Sequence, residues 1–223
     1  MRVSFWHALL LSFPLLTACG GSTESNDAEV NDAAQVEQTT GTAVPVDVSA
    51  SKVMWIGSKA MGDEHKGMVP LKTAELQTTG DQLTGGRFVI DLSGLSNYDV
   101  KGDSKAKLEG HLKSADFFDV ANHPEATFEI TSVTAAPMDT NTHKIEGNLT
   151  MRGTTKSVTF PAKVEMMGNK IMAKANFDID RTLWGVNFHS NSEEAWKKTE
   201  AKWKDQVIND KIIIQLNLVA NKG

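Results

Sequence analysis

Residue types that do covalent or acid–base chemistry are thinly spread along this chain. His65, His111, His123, His143 and His189 are dispersed, without the short spacing by which a helix or turn presents metal ligands. His111 and Asp116 form a loose pair that a helix end explains equally well. Arg181 sits in a charged cluster with Asp178 and Asp180, but strand parity sends both aspartates outward. There is no Gly-x-Ser-x-Gly elbow, no His-Glu-x-x-His helix and no phosphate-binding loop, the arrangements that mark a nucleophile, a zinc hydrolase or a nucleotide site. These residues argue for binding over catalysis, with no metal or cofactor required.

The stretch best suited to binding is His111 to Ile130, HLKSADFFDVANHPEATFEI. Phe117 and Phe118 stand side by side between Asp116 and Asp119; Asn122, His123 and Pro124 signal a turn; alternation then starts at Ala126, Phe128 and Ile130. Two adjacent phenylalanines in a polar connection would expose about 300 Å² of apolar surface unless folded inward. The segment therefore reads as a helix end, an aromatic plug, a turn and a strand, with the plug tucked into a core or a cavity.

The elements around it are strands. Strict alternation recurs at Val53 and Trp55; Phe88, Ile90 and Leu92; Phe128 and Ile130; Ile145, Gly147, Leu149 and Met151; Val158 to Met166; Ile171 to Ile179; and Ile212 to Leu218. With one further strand from Val69 to Leu76, this predicts eight. Period two makes one face of each strand apolar, and the opposite faces are polar enough to meet water. Gly80-Asp81, Gly168-Asn169 and Asp139 to Asn141 fall where hairpin turns belong. The fold class is all-β, an eight-stranded antiparallel up-and-down barrel with one or two short helices in its connections; a sandwich is the alternative. Ser104 is placed to cap a short helix containing Leu108 and Leu112, and a second helix is predicted from Ser192 to Gln206 with Trp196 and Trp203 on one stripe. Alternation does not tell a filled interior from one that holds a ligand.

Several segments together resemble the YceI-like family, lipocalin-like barrels that bind polyisoprenoids: the 111–130 stretch; Trp55, Gly57, Lys59, Gly62, His65 and Gly67; Gly147 to Lys156; Ile179-Asp180-Arg181 and Trp184-Gly185. The resemblance runs over roughly residues 46 to 220 and implies a hollow interior occupied by an isoprenoid lipid or quinone. The lining it implies is Trp55, Phe88, Ile90, Phe117, Phe118, Phe128, Ile130, Leu149, Met151, Phe160, Val164, Ala173, Ala175, Phe177, Ile179, Trp184, Ile214 and Leu216. A polar head would sit at the mouth and meet Arg181, His65 or Tyr98. A sealed barrel working through protein contacts, or an uncharacterised hydrolase, are the competing functions; no exposed apolar patch points to a protein partner.

Residues 1–18 have one Arg, a leucine-rich run and small residues at the end, the layout of a secretory signal peptide. Leu16-Thr17-Ala18-Cys19 looks like a bacterial lipobox and holds the chain's single cysteine. Lipidation there anchors the protein to a membrane, and Gly20 in place of Asp points to the periplasmic face of the outer membrane. Residues 19–45 then read as the lipidated Cys and a disordered acidic tether, and 46–223 as the barrel domain. Five acids, Glu24, Asp27, Glu29, Asp32 and Glu37, lie in the tether; without them and Arg2, 22 basic residues meet 23 acids. Such a balance offers no field for nucleic acid.

Overall fold

The computed structural model describes residues 27–36, 41–138, 140–192 and 205–223. The predicted signal peptide, Cys19 and most of the predicted 192–206 helix, including Trp196 and Trp203, lie outside the described residues, as does Asp139 of the third predicted turn. In chain order the elements are β1 (Glu29–Asp32), β2 (Thr42–Pro45), β3 (Lys52–Ser58), β4 (Glu64–Val69), β5 (Leu71–Thr79), β6 (Gln82–Asp91), β7 (Ser96–Asn97), α1 (Gly102–Lys113), β8 (Glu125–Met138), β9 (Asn141–Met151), β10 (Thr154–Met167), β11 (Lys170–Asp180) and β12 (Lys211–Asn221). All strand ladders are antiparallel and belong to one curled sheet.

From β5 to β12 the strands form a meander, each paired with the next long strand. β12 then returns to the start of the domain and pairs β3, followed by β4 and β7. The sheet curls far enough for two consecutive residues after β2 to tie β5 to β12: Val46 N–H bonds Ala74 O on β5, and Asp47 N–H bonds Val219 O on β12. The up-and-down topology read from the alternation is therefore present. The additional strands are short and carry no apolar alternation, which is why pattern alone misses them. The predicted strand from Val69 to Leu76 is two: Pro70 has no N–H to give a ladder, so β4 turns toward β3 while β5 pairs β6.

The N-terminal segment departs from its expected disorder. β1 adds to β10 from Glu29↔Thr159 to Asp32↔Lys156. β10 and β11 pair only as far as Ala162↔Ala175, and β1 fills the wedge beyond, with Ala28 N–H bonding Asp178 O at 3.0 Å. β2 covers the free edge of β5 and buries Val44. Acid-rich composition predicted a free tether, but backbone pairing to two exposed edges outweighs it.

The hairpin between β9 and β10 turns on Arg152 and Gly153, with φ of 49° and 74°. Both values are positive, so this is the tight turn whose twist matches that of the strands. The turn also aims Arg152 at the connection after α1. That helix begins at Gly102, one residue after Lys101, which makes no side-chain cap bond; Ser104 thus lies inside the first turn instead of capping it. α1 and the segments 114–124 and 181–190 gather at one end of the sheet, where β3, β11 and the β9–β10 hairpin all end.

Candidate ligand-binding cavity

The inward faces of β3, β5, β6, β8, β9, β10, β11 and β12 enclose a cavity of about 390 Å³, within the usual ~300–1,000 Å³ of small-molecule sites. A file of phenylalanines forms part of its wall. Phe88 lies 6.3 Å from Phe128, Phe128 5.8 Å from Phe160, and Phe160 stacks on Phe177 at 4.0 Å. Phe128 and Phe160 touch across the intervening β9 because Gly147 has no side chain: a Cβ there would stand 2.4 Å from the Phe128 ring. The room at Gly147 is thus already occupied, whereas Ala162, Ala173 and Ala175 face open space.

One end is roofed by α1 and the connection after it. Leu108 and Leu112, one helical turn apart, face the cavity with Phe117 and Phe118. Ser114 caps the helix and its carbonyl accepts from Phe117 and Asp119 N–H, while Phe118 N–H bonds Leu112 O. Asp119 has a φ of 49°, which reverses the chain. Arg152 donates through Nη1 to Ala115 O at 3.0 Å and to Phe117 O. His111 meets Phe117 and Phe188 edge-on at 5.0 and 4.7 Å. The double phenylalanine is accordingly held from behind by backbone and guanidinium bonds while its rings face inward.

The rim beside this roof is polar, with Ser58, Lys59, Asp63, His65 and Asn209 on it. His65 Nδ1 lies 2.9 Å from Asp99 Oδ2, and Asp99 Oδ1 accepts from Lys66 N–H at 2.8 Å and from the Asn97 amide. Partial burial raises the Asp99 pKa, but the bonds from His65, Lys66 and Asn97 outweigh it and hold the carboxyl down at about 2. Fully buried Asn97 organises this corner: its amide also donates to Lys66 O, its side-chain oxygen accepts from Val100 N–H, its N–H bonds Glu109 and its carbonyl accepts from Lys105. The network ties α1 to β4. No motif in Tyr98 to Lys101 announced it, because an Asn in a short polar connection looks the same in sequence whether buried or exposed.

Every predicted lining residue faces the cavity except Trp184. Trp184 is buried behind the wall and spends its Nε1–H on Leu149 O at 3.0 Å. Of the head-group candidates, His65 and Arg181 reach the cavity and Tyr98 does not; Tyr98 points outward, 52% exposed. Arg181 is committed elsewhere. Its side chain, 1% exposed, donates to the carbonyls of Asn209, Val186 and Ile208 and pairs with Asp210 at 3.2 Å. Burial lowers its pKa and the charges of Asp210 and Asp180 favour the cation, so it works as an internal clamp across the 181–210 region. Trp55 Nε1 is buried and finds no hydrogen-bond partner among the described residues. Among those residues, no three His, Cys, Asp or Glu side chains converge as a metal site would require.

A curled antiparallel sheet around a roofed, apolar cavity is an architecture with room for a small ligand in its interior. The model of the YceI-like domain family matches residues 45–220, and the chain belongs to that family. Its relatives include a UPF0312 protein of Pseudomonas paraeruginosa, 45% identical over 80 residues, covering 35% of this chain and 40% of the relative. Another, from Pectobacterium atrosepticum, is 42% identical over 90 residues, covering 40% and 45%. The chain thus spans less than half the length of these curated relatives. Among solved structures, Burkholderia cenocepacia BcnA aligns with a TM-score of 0.60 at 22% identity, over 79% of this chain and 99% of that one. A polyisoprenoid binding domain from Saccharophagus degradans aligns at 0.57 and 13%, over 82% and 100%. At these identities the likeness is one of fold.

Proposed function

We propose that this protein carries or stores a long apolar lipid, an isoprenoid chain with or without a quinone head, without catalysing its conversion. The observation that carries the reading is the cavity of about 390 Å³ walled almost wholly by hydrocarbon and roofed by Phe117 and Phe118. The description of the Saccharophagus degradans domain as polyisoprenoid binding supports it. The energetics suffice: each buried methylene is worth about 0.8 kcal/mol, so a five-carbon unit contributes roughly 3–4 kcal/mol gross. Several units exceed the cost of ordering a flexible chain and leave micromolar affinity or better.

The proposal includes location at the periplasmic face of the outer membrane, held there by acylated Cys19. Multiple acyl chains anchor a protein far better than one. With β1 docked on the barrel wall, only eight residue steps separate Cys19 from Asp27, and such a span reaches at most about 28 Å. The cavity would stay close to the membrane that supplies its ligand.

Ala175→Trp tests the reading. Its indole projects into the cavity, and uptake of a fluorescent polyprenyl probe should fall at least tenfold while the melting transition is retained. Asn176→Trp, on the exposed face of the same strand, should bind as the parent does. Equal uptake by Ala175→Trp and the parent would place the ligand elsewhere.

A further inference from the structure

We propose that the mouth of the cavity selects ligands whose head group donates a hydrogen bond, a hydroxyl on the end of an apolar chain, and that Nε2 of His65 receives it. The inference rests on the carrier reading and goes beyond it by assigning the head-group chemistry. Its basis is the orientation of one imidazole. Asp99 accepts from Lys66 N–H, from the Asn97 amide and from His65 Nδ1 at 2.9 Å. A carboxylate has only acceptors, so the proton of that bond belongs to Nδ1, and in its neutral form an imidazole so held presents Nε2 as a lone pair. Asn97 and the β4 backbone fix Asp99 and, through it, the ring. Among the described residues no hydrogen bond engages Nε2.

The space beside the ring is built for a small group. β3 places Gly57 directly opposite His65 on the cavity face. A Cβ at Gly57 would meet nothing within 4 Å, so the missing side chain leaves a niche open between the ring and the cavity. The other polar groups nearby are already paired. Arg181 is spent on three carbonyls and Asp210. Asn209 gives its amide to Ser58 Oγ and Lys59 O and accepts from Asn191. Lys59 and Asp63 sit 3.7 Å apart at exposed positions, where solvent screens their charges. Among the described residues, Trp55 Nε1 and His65 Nε2 are the cavity-lining polar atoms left for a ligand; the indole N–H can only donate, so a donating head group is received at His65 Nε2.

The test uses the full chain, stripped of co-purified lipid, and two probes differing only in the head: geranylgeraniol, which donates, and geranylgeranyl methyl ether, which does not. At pH 8.5 the alcohol should bind about 3- to 10-fold tighter, the worth of one neutral hydrogen bond. His65→Leu should remove that preference while leaving the ether's Kd unchanged, and His65→Gln should restore part of it. Gly57→Val fills the niche from the other strand and should also erase the preference, so the result does not depend on one variant folding. Equal affinities in the parent chain, or a preference that survives His65→Leu, would overturn the inference and leave the carrier reading standing. Geranylgeranyl phosphate binding tighter than the alcohol would assign the niche to Lys59 and overturn it as well. Binding of no probe would remove both readings.

Discussion

Arg181 and His65 both reach the cavity, yet their surroundings give them opposite roles. Arg181 is saturated by backbone carbonyls and Asp210, so its removal leaves acceptors buried without a donor. Arg181→Met should cost about 3–5 kcal/mol, a fall of roughly 6–20 °C in Tm for a chain of this size, and Arg181→Lys should recover little because a point charge cannot replace the planar fork. A variant that melts like the parent and loses ligand would instead make Arg181 a head-group anchor. Asp99 has a folded-state pKa of about 2, below the unfolded carboxylate value of about 3.9. Its stabilisation is therefore complete above the unfolded value and is lost as pH falls from there toward 2. Thermal melts from pH 5 to pH 2 should fall more steeply for the parent than for Asp99→Asn; parallel curves would mean that the His65–Asp99–Asn97 corner contributes nothing to acid sensitivity. The strand residues of the lining were legible because inward parity is a two-residue rule, but the wall is wider than the set named from sequence: Val53, Leu71, Leu76, Ile145, Val158 and Ala162 also line it. Trp184, Tyr98 and Arg181 lie outside the regular strands, where parity fails, and their orientation follows from hydrogen bonds to residues distant in sequence.

At the scale of elements, the long strands and their meander were readable from apolar alternation, and the inward turn of Phe117 and Phe118 from the cost of exposing them. β1 and β2 were not readable. EVND and TAVP carry no pattern, and they form strands because the sheet offers unpaired edges. β1 has its own consequence: it fills the wedge between β10 and β11, with Lys144, Lys156 and Lys211 pairing Glu29, Asp32 and Asp27. Those pairs are exposed and weak, so most of its hold comes from the ladder and from partly buried Ala28 and Val30. A chain starting at Gly41 should fold with a loss of about 1–2 kcal/mol, release bound lipid several-fold faster through the opened wedge, and self-associate more readily along the bare β10 edge. Stopped-flow displacement of a fluorescent lipid measures the second effect; an unchanged release rate would show that the wedge is not a route to the cavity.

For the whole molecule, a near-neutral domain encloses an apolar interior, and under the proposed function this interior is a container for lipid cargo. Among the described residues the interior is only partly filled by side chains: Phe128 covers Gly147, while Ala162, Ala173 and Ala175 line open space. Whether the interior was hollow could not be read from alternation, since filled and hollow barrels share it; the answer depends on how far each ring leans across its neighbours. The direct measurement is native mass spectrometry of the full chain purified from its own cells, followed by solvent extraction and mass analysis of the extract. A lipid carrier should show one bound mass of several hundred daltons that leaves with solvent and fits an isoprenoid series. A chain that is empty from its own cells, and that stays empty after incubation with polyprenols and isoprenoid quinones, would contradict the carrier reading.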